Sequence, residues 1–408
     1  MIETKHWNIK VPNGAGKENL ITDLTQGKVL LQGIPKDQIK LYSVITLAKF
    51  IREEEIHDKF EVLNERGQAL KSMSSGERKR ALLDYFLAQE TQVLILDNPL
   101  DSLDVEGREM LIQRIEEVAQ SCQVINIVSR ERDFLPFVSE HLVYQEGVLK
   151  PFESSHSAAG RSLLQGSIPE AIETIEVKGE ELIRMNQVSV SYLERAILKD
   201  ISWTIRKGEF WQLKGPNGAG KTTLLSMITG DNHKAYGQDI TLFGFKKGSG
   251  ESVWDIKKNI GYYTSNMTYD FWRNQSVEYM IISGYFDSVG LYQKPSELMR
   301  KRTEAWLDLI GLSGQKDKPF IDLPIGHRRL VLIARAMVKH PPLLILDEPA
   351  SDLDDHNAQL MSDLVNKIAR ESETAILYVS HQDEEGLRPE KVYELKPGQM
   401  GSTGHVVK

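Results

Sequence analysis

Residues Gly215-Pro216-Asn217-Gly218-Ala219-Gly220-Lys221-Thr222-Thr223 fit the pattern G-x-x-x-x-G-K-[ST] without a mismatch. The apolar run Phe210-Trp211-Gln212-Leu213 precedes them and reads as a strand. Leu224, Leu225 and Ile228 follow at helical spacing. Strand, tight glycine loop and helix N-terminus are the context a phosphate-binding loop requires, and they point to an α/β fold. Gly215, Gly218 and Gly220 let backbone N–H groups turn inward and cradle phosphate oxygens. The helix dipole adds a favourable field for an anion. Lys221 can reach β- and γ-phosphates, and the Thr222 hydroxyl can ligate magnesium.

The chain has 408 residues, too many for one typical domain and suited to two. Hydrophobic content of 40% and charged content of 26% are ordinary for a globular protein. A net charge of −8 gives no sign of a nucleic-acid-binding face. The single cysteine, Cys122, excludes internal disulfides and cysteine-built metal clusters, and it fits a reducing compartment. No run approaches the roughly 18 apolar residues of a membrane span, and the first residues lack an apolar signal core. A cytoplasmic location is expected, with no direct membrane insertion and any membrane contact made through a partner.

An internal repeat begins at the first motif. His6-Trp7-Asn8-Ile9-Lys10-Val11-Pro12-Asn13-Gly14-Ala15-Gly16-Lys17 echoes the run from Phe210 to Lys221. Val11 replaces the opening glycine, and Glu18 replaces the magnesium-binding hydroxyl with a carboxylate that would repel phosphate. Downstream, Val93-Leu94-Ile95-Leu96-Asp97-Asn98-Pro99 parallels Leu343-Leu344-Ile345-Leu346-Asp347-Glu348-Pro349. Each is the apolar run of a buried parallel strand ending in a carboxylate. Asp347 can hold the magnesium shell, and Glu348 is the candidate base for the attacking water. Asn98, at the matching place, cannot take a proton. Val128-Ser129-Arg130 parallels Val379-Ser380-His381, so His381 is the candidate contact to the γ-phosphate or water, and Arg130 replaces it in the first half.

These motifs resemble those of ATP-binding cassette (ABC) proteins with two fused nucleotide-binding halves, over nearly the whole chain. The resemblance implies two P-loop NTPase domains, each with a RecA-like core and a helical subdomain, the first truncated and degenerate. Expected boundaries are 1–150 for the degenerate half, 151–179 for a linker and 180–408 for the second domain. It also implies a signature before each Walker B strand: Met73-Ser74-Ser75-Gly76-Glu77 in the first half, Leu323-Pro324-Ile325-Gly326-His327 in the second. Ser74 precedes Asp97 by as many positions as Pro324 precedes Asp347. The first signature keeps its serine and glycine, whereas Pro324 offers no side-chain donor. Tyr192 sits where an aromatic residue stacks on adenine, and Asp101-Ser102-Leu103-Asp104 and Ser351-Asp352-Leu353-Asp354 match the loop that crosses between halves. Ser265 stands where the family has a glutamine that touches magnesium and links hydrolysis to a membrane partner. The segment from Ser283 to Tyr292, with Leu312, Pro319-Phe320 and Val338-Lys339-His340-Pro341, is similar to the ModF-type tandem cassettes of molybdate transport or photorepair. Fewer residues separate Lys17 from Asp97 than Lys221 from Asp347, so the first half's helical subdomain is cut down.

In that family two cassettes pair head-to-tail, each ATP lying between the Walker motifs of one half and the signature of the other. The competent site would then comprise Gly215, Asn217, Gly218, Gly220, Lys221, Thr222, Thr223, Asp347, Glu348, His381 and Tyr192, with Ser74 and Gly76 from the first half. The degenerate site would hold Lys17, Glu18, Asp97, Asn98 and Arg130 against Pro324. ATP and Mg2+ are the expected ligands. A transport ATPase working with an unseen permease and an ATP-driven switch on a cytosolic complex such as the ribosome both fit this pattern.

Overall fold

The computed structural model describes residues 5–64, 67–73, 75–101, 103–153, 164, 166–193, 195–270, 274–288, 290–291 and 293–407. It divides into two compact units, Met1–Ala158 with Asp352–Asp355, and Ala159–Ser351 with His356–Lys408.

The first unit carries strands β1 (Trp7–Lys10), β2 (Ile39–Tyr42), β3 (Val93–Asp97), β4 (Gln123–Val128), β5 (Glu140–Gln145) and β6 (Val148–Pro151). Its helices are α1 (Lys17–Thr25), α2 (Val44–His57), α3 (Ser75–Leu87) and α4 (Val105–Ala119). The strands form one sheet in the order β2-β3-β4-β1-β5-β6. All neighbours are parallel except the β5–β6 hairpin. Val93, Leu94, Ile95 and Leu96 are fully buried, as expected of a strand covered on both faces. Pro151, read from sequence as part of a loop, ends β6 opposite Leu142. A proline is tolerated there because β6 is an edge strand. Helix α4 starts where Asp104 accepts the Gly107 N–H at 2.9 Å, an N-cap that satisfies one of the turn's free donors.

The second unit adds β7 (Glu181–Tyr192), β8 (Arg195–Arg206), β9 (Phe210–Lys214), β10 (Asp239–Leu242), β11 (Phe245–Lys246), β12 (Ile260–Thr264), β13 (Leu343–Asp347), β14 (Ala375–Val379), β15 (Lys391–Lys396) and β16 (Thr403–Val406). Its helices are α5 (Lys221–Ile228), α6 (Val253–Lys257), α7 (Met267–Asp270), α8 (Val277–Ile282), α9 (Glu297–Leu309), α10 (Ile325–Met337) and α11 (Asp355–Glu371). One sheet has the order β12-β13-β14-β9-β15-β16 and the other, antiparallel, the order β11-β10-β7-β8. Position for position, the mainly parallel sheet repeats the order of the first unit's sheet. The repeat in sequence is therefore a repeat of topology.

Among the described residues the first unit has no counterpart of the β7–β8–β10–β11 sheet, and α2 alone stands between β2 and α3 where the second unit has α7, α8 and α9. The lack of counterparts to β10 and β11 and the smaller set of helices are the physical content of the shorter spacing between Lys17 and Asp97. Of the stretch expected to be a linker, the described residues from Leu164 onward are anchored to the second unit. Ile168 N–H donates to Glu371 Oε2 at 3.0 Å, Arg302 pairs with Glu170 at 2.7 Å, and Leu164, Ile168 and Val177 are buried.

Candidate nucleotide site

Three parallel strands set the positions of the second unit's chemistry. β9 runs beside β14 and β15, and β13 lies on the far side of β14. The loop after β9, the carboxylates after β13 and the histidine after β14 therefore all emerge at the C-terminal ends of parallel strands, where α/β sheets bind ligands. Phe210, Trp211, Gln212 and Leu213 are buried, which fixes the direction in which the loop departs. Gly220 closes that loop at φ 92° as the N-cap of α5. A Cβ there would lie 2.8 Å from Leu198 Cδ2 and 3.0 Å from Ile197 Cγ2, so the position requires glycine on two counts. Leu224, Leu225, Met227 and Ile228 bury the inner face of α5 and hold its N-terminus at the loop.

Lys221 Nζ donates to the carbonyls of Gly215 at 2.6 Å and Pro216 at 3.1 Å. Asn217, Gly218 and Thr222 are exposed, and Thr223 is half-buried. Asp347 ends β13 in register with Thr264 and Val379. Burial, with Glu348 beside it, raises its pKa to about 6 against the opposing charge of Lys221. Glu348 takes the left-handed conformation, φ 49°, and its N–H donates to Val379 O at 2.9 Å. Its Oε1 lies 3.2 Å from His381 Nδ1, and the His381 side chain is 9% exposed. Glu348 and His381 thus sit as a hydrogen-bonded pair beside the raised carboxylate. A partly buried carboxylate whose charge is disfavoured by its surroundings gains from a hard divalent cation, which takes oxygen donors. Asp347 with Thr222 therefore fits magnesium.

The first unit preserves this scaffold with different residues at the matching positions. Asn98 has φ 44°, and its N–H donates to Ile127 O at 2.9 Å, as Glu348 does to Val379. Its carboxamide oxygen accepts from Ser129 N–H at 3.2 Å, a structural role. Lys17 Nζ is paired with Asp97 Oδ1 at 2.8 Å, whereas Lys221 donates to loop carbonyls. Val11 is buried and its N–H continues the ladder to Val128 O, so a core side chain stands where the second loop has glycine. Glu18 adds a carboxylate in the first turn of α1. Asp354, which belongs to this unit, accepts the Asn13 N–H at 2.7 Å. An internal carboxylate therefore takes a loop amide. Arg130 is buried and its Nε donates to Leu353 O at 2.7 Å.

Ser74 lies outside the described residues, as do Ser102 and Tyr292; Gly76 falls in the first turn of α3. In the second signature, Pro324 is the N-cap of α10 and makes no side-chain cap bond. A Cβ on Gly326 would collide with the Asn357 side chain, so that helix start is packed shut within its own unit. Ser265 N–H donates to Asp347 O at 3.3 Å. Tyr192 ends β7, exposed, with its hydroxyl accepting from Asn232 Nδ2 at 2.9 Å.

One residue escaped sequence reasoning. Gln212, buried within β9, donates through Nε2 to Ser380 Oγ at 2.9 Å and to Gln382 O at 3.3 Å. It ties the strand leading into the loop to the residues flanking His381. The available signal was a lone amide in the otherwise apolar run Phe-Trp-Gln-Leu.

The ABC transporter family profile matches residues 198–351. The Escherichia coli ABC transporter ATP-binding protein ModF is 41% identical over 335 residues, covering 77% of this chain and 68% of that protein. An uncharacterised ABC transporter ATP-binding protein of Schizosaccharomyces pombe is 31% identical over 331 residues, 78% of this chain and 66% of its own length. Among solved structures, a chain in the complex of archaeal ribosomal stalk protein aP1 and ribosome recycling factor aABCE1 matches 98% of this chain and 85% of that one, with TM-score 0.61 and 16% identity. That likeness speaks for the fold alone.

Proposed function

Because the chain belongs to the ABC ATPase family, of the ModF type, we propose that it hydrolyses Mg-ATP at one composite site and keeps a second, degenerate site that does not turn over. The competent site takes its phosphate loop, Asp347, Glu348 and His381 from the second half and its signature, Ser74 and Gly76, from the first. The observation that carries this reading is the asymmetry between the halves. Glu348 and His381 stand 3.2 Å apart beside an Asp347 of raised pKa, whereas the matching positions hold Asn98 and Arg130 and the loop lysine is drawn onto Asp97. The intact signature also lies in the half whose loop is damaged, so head-to-tail pairing collects every loss on one site.

In this mechanism the amides of the 215–223 loop hold the polyphosphate and Lys221 exchanges its carbonyl contacts for phosphate oxygens. Glu348 orients the attacking water and accepts its proton. His381 holds Glu348 in place through Nδ1–H, and its Nε2 lies 2.9 Å from Gln382 Nε2. Tyr192 supplies a stacking face for the base. Ser74 and the start of α3 close the other side and exclude solvent. When bound between Thr222 and Asp347, Mg2+ would neutralise charge developing on the β- and γ-oxygens. The measurement is ATP turnover by Glu348→Gln, which should fall about 10²–10⁴-fold while ATP is still retained. Wild-type turnover would remove Glu348 from the role.

Two uses of the cycle are compatible with this site. A link to molybdate or other oxyanion transport through a permease follows from the ModF likeness. Ser265, in place of the glutamine that couples the family to membrane partners, favours a switch on a cytosolic complex such as the ribosome. Pulldown with ATP-trapped Glu348→Gln separates them. A membrane subunit in the bound fraction supports transport, and ribosomal proteins support the switch.

A further inference from the structure

Beside the phosphate loop the second unit holds a cavity of about 520 Å³ lined by Arg195, Ala196, Ile197, Gly218, Gln399 and Ser402, among others. Its volume lies in the range of small-molecule sites, about 300–1,000 Å³. Gly218 belongs to the loop read as receiving the phosphates and is also part of this cavity's wall, so the cavity borders that site. The remaining walls are the start of β8 and the turn between β15 and β16.

That turn is held rigidly. Ser402 is buried and its N–H donates to Ile197 O at 2.8 Å, while Lys199 N–H donates to Ser402 O at 2.8 Å. Gly401 N–H closes onto Gly398 O at 3.1 Å. Gly401 has φ 98°, and a Cβ on it would stand 3.2 Å from the Leu198 carbonyl carbon, so the turn packs backbone against backbone on β8. Leu395, near the end of β15, approaches the loop itself: a Cβ on Gly215 would lie 3.0 Å from Leu395 O. Turn and phosphate loop are thus fixed relative to each other by the same strands.

Stacking on a tyrosine face binds any base, because every base has a π-face. Telling adenine from guanine requires hydrogen bonds at the base edge. Tyr192 lies outside the cavity lining, with its hydroxyl engaged by Asn232. Of the exposed polar side chains that line the cavity, Arg195 offers donors only. Gln399, exposed at the tip of the turn, carries both a donor and an acceptor, the combination that pairs with adenine N6 and N7. We propose that the Pro397–Ser402 turn is the base-recognition wall of the nucleotide site and that Gln399 selects adenine over guanine at its edge. This rests on the reading of the second half as an ATP site and adds to it a residue that sets nucleotide identity.

The test uses the full chain and fluorescence-detected binding of ATP, GTP and inorganic tripolyphosphate, with Mg2+, to wild type, Gln399→Ala and Gln399→Glu. Wild type should prefer ATP. Gln399→Ala should lower the ATP-to-GTP affinity ratio roughly 5- to 100-fold, the discrimination carried by one bidentate base contact, through weaker ATP binding. Gln399→Glu, an acceptor only, keeps the contact to adenine N6–H2, loses the donor to N7 and faces only the O6 and N7 acceptors of guanine, so it should bind ATP more weakly and GTP more weakly still, raising the ratio. Tripolyphosphate should bind all three equally. Neither variant touches a packed position, since Gln399 is exposed. A wild type that binds ATP with a ratio unchanged in both variants overturns the assignment of Gln399 and leaves the ATP site standing. A wild type that binds ATP and GTP alike also overturns it. A wild type that binds tripolyphosphate but no nucleotide overturns both readings.

Discussion

Replacing Asp347 by asparagine should stabilise the nucleotide-free protein at neutral pH while removing magnesium-dependent hydrolysis. Burial and the neighbouring Glu348 raise the Asp347 pKa from 3.8 to about 6. Below 3.8 the carboxyl is protonated in folded and unfolded chains alike and costs nothing. As pH rises through the interval from 3.8 to about 6, the unfolded chain gives up its proton first, and the native state is progressively penalised. Above that interval the penalty is complete, about two pKa units or on the order of 3 kcal/mol at roughly 1.36 kcal/mol per unit. Asparagine carries no such penalty. Urea unfolding in EDTA at about pH 4.5 and about pH 7.5, on either side of the raised pKa, is read by tryptophan fluorescence. The signal reports the second unit, because Trp7 is the one tryptophan of six outside it. The stability gain of Asp347→Asn over wild type should be larger at the higher pH than at the lower by about 2 kcal/mol, because about 1 kcal/mol of the penalty is already present at about pH 4.5. A gain that is equal at both pH values, or larger at the lower one, refutes the argument. The same substitution should abolish Mg-dependent turnover, a trade of function for stability at a site strained for its task.

Other outcomes follow from the same geometry. Lys221→Ala should abolish hydrolysis, while Lys17→Ala should change it much less, because Lys17 is already committed to Asp97; steady-state ATPase rates decide. Isothermal titration of Lys221→Ala should find no tight ATP site, and a tight one would contradict the degeneracy of the first loop. Gln212→Leu should lower turnover without unfolding the sheet, since it removes the bonds to Ser380 and Gln382 that flank His381; a rate equal to wild type would make Gln212 purely structural. Ile345→Ala, at a fully buried position of β13, should cost about 2–5 kcal/mol of stability, measured by the same urea transition.

Much of this is legible from residue order alone. The loop, the two carboxylate-ended strands and Val379-Ser380-His381 are local patterns. Each lands on the expected strand end because an apolar run with no polar face must be a buried parallel strand. The replacements Asn98 and Arg130 are equally local. What escapes depends on neighbours far apart in the chain. Lys17 and Asp97 meet only because β1 and β3 flank β4 in one sheet. Gln399 and Gly218 come to line one cavity only because β15 pairs with β9. The run from Lys150 to Gly160 reads as a loop because it is small and polar, and Val148–Pro151 is an edge strand because nothing pairs beyond it among the described residues. The buried anchors Leu164, Ile168 and Val177 carry no periodic signal at all.

The central claim, one competent site shared between two damaged halves, is tested most directly at the two signatures. Ser74→Arg and Pro324→Arg should be purified as folded monomers and compared for ATP hydrolysis and for ATP binding. If the first half's signature completes the second half's site, Ser74→Arg should reduce hydrolysis nearly as far as Glu348→Gln, with ATP binding by the second half retained, and Pro324→Arg should cost little. Normal hydrolysis by Ser74→Arg together with loss in Pro324→Arg would contradict the account and locate the active signature in the second half.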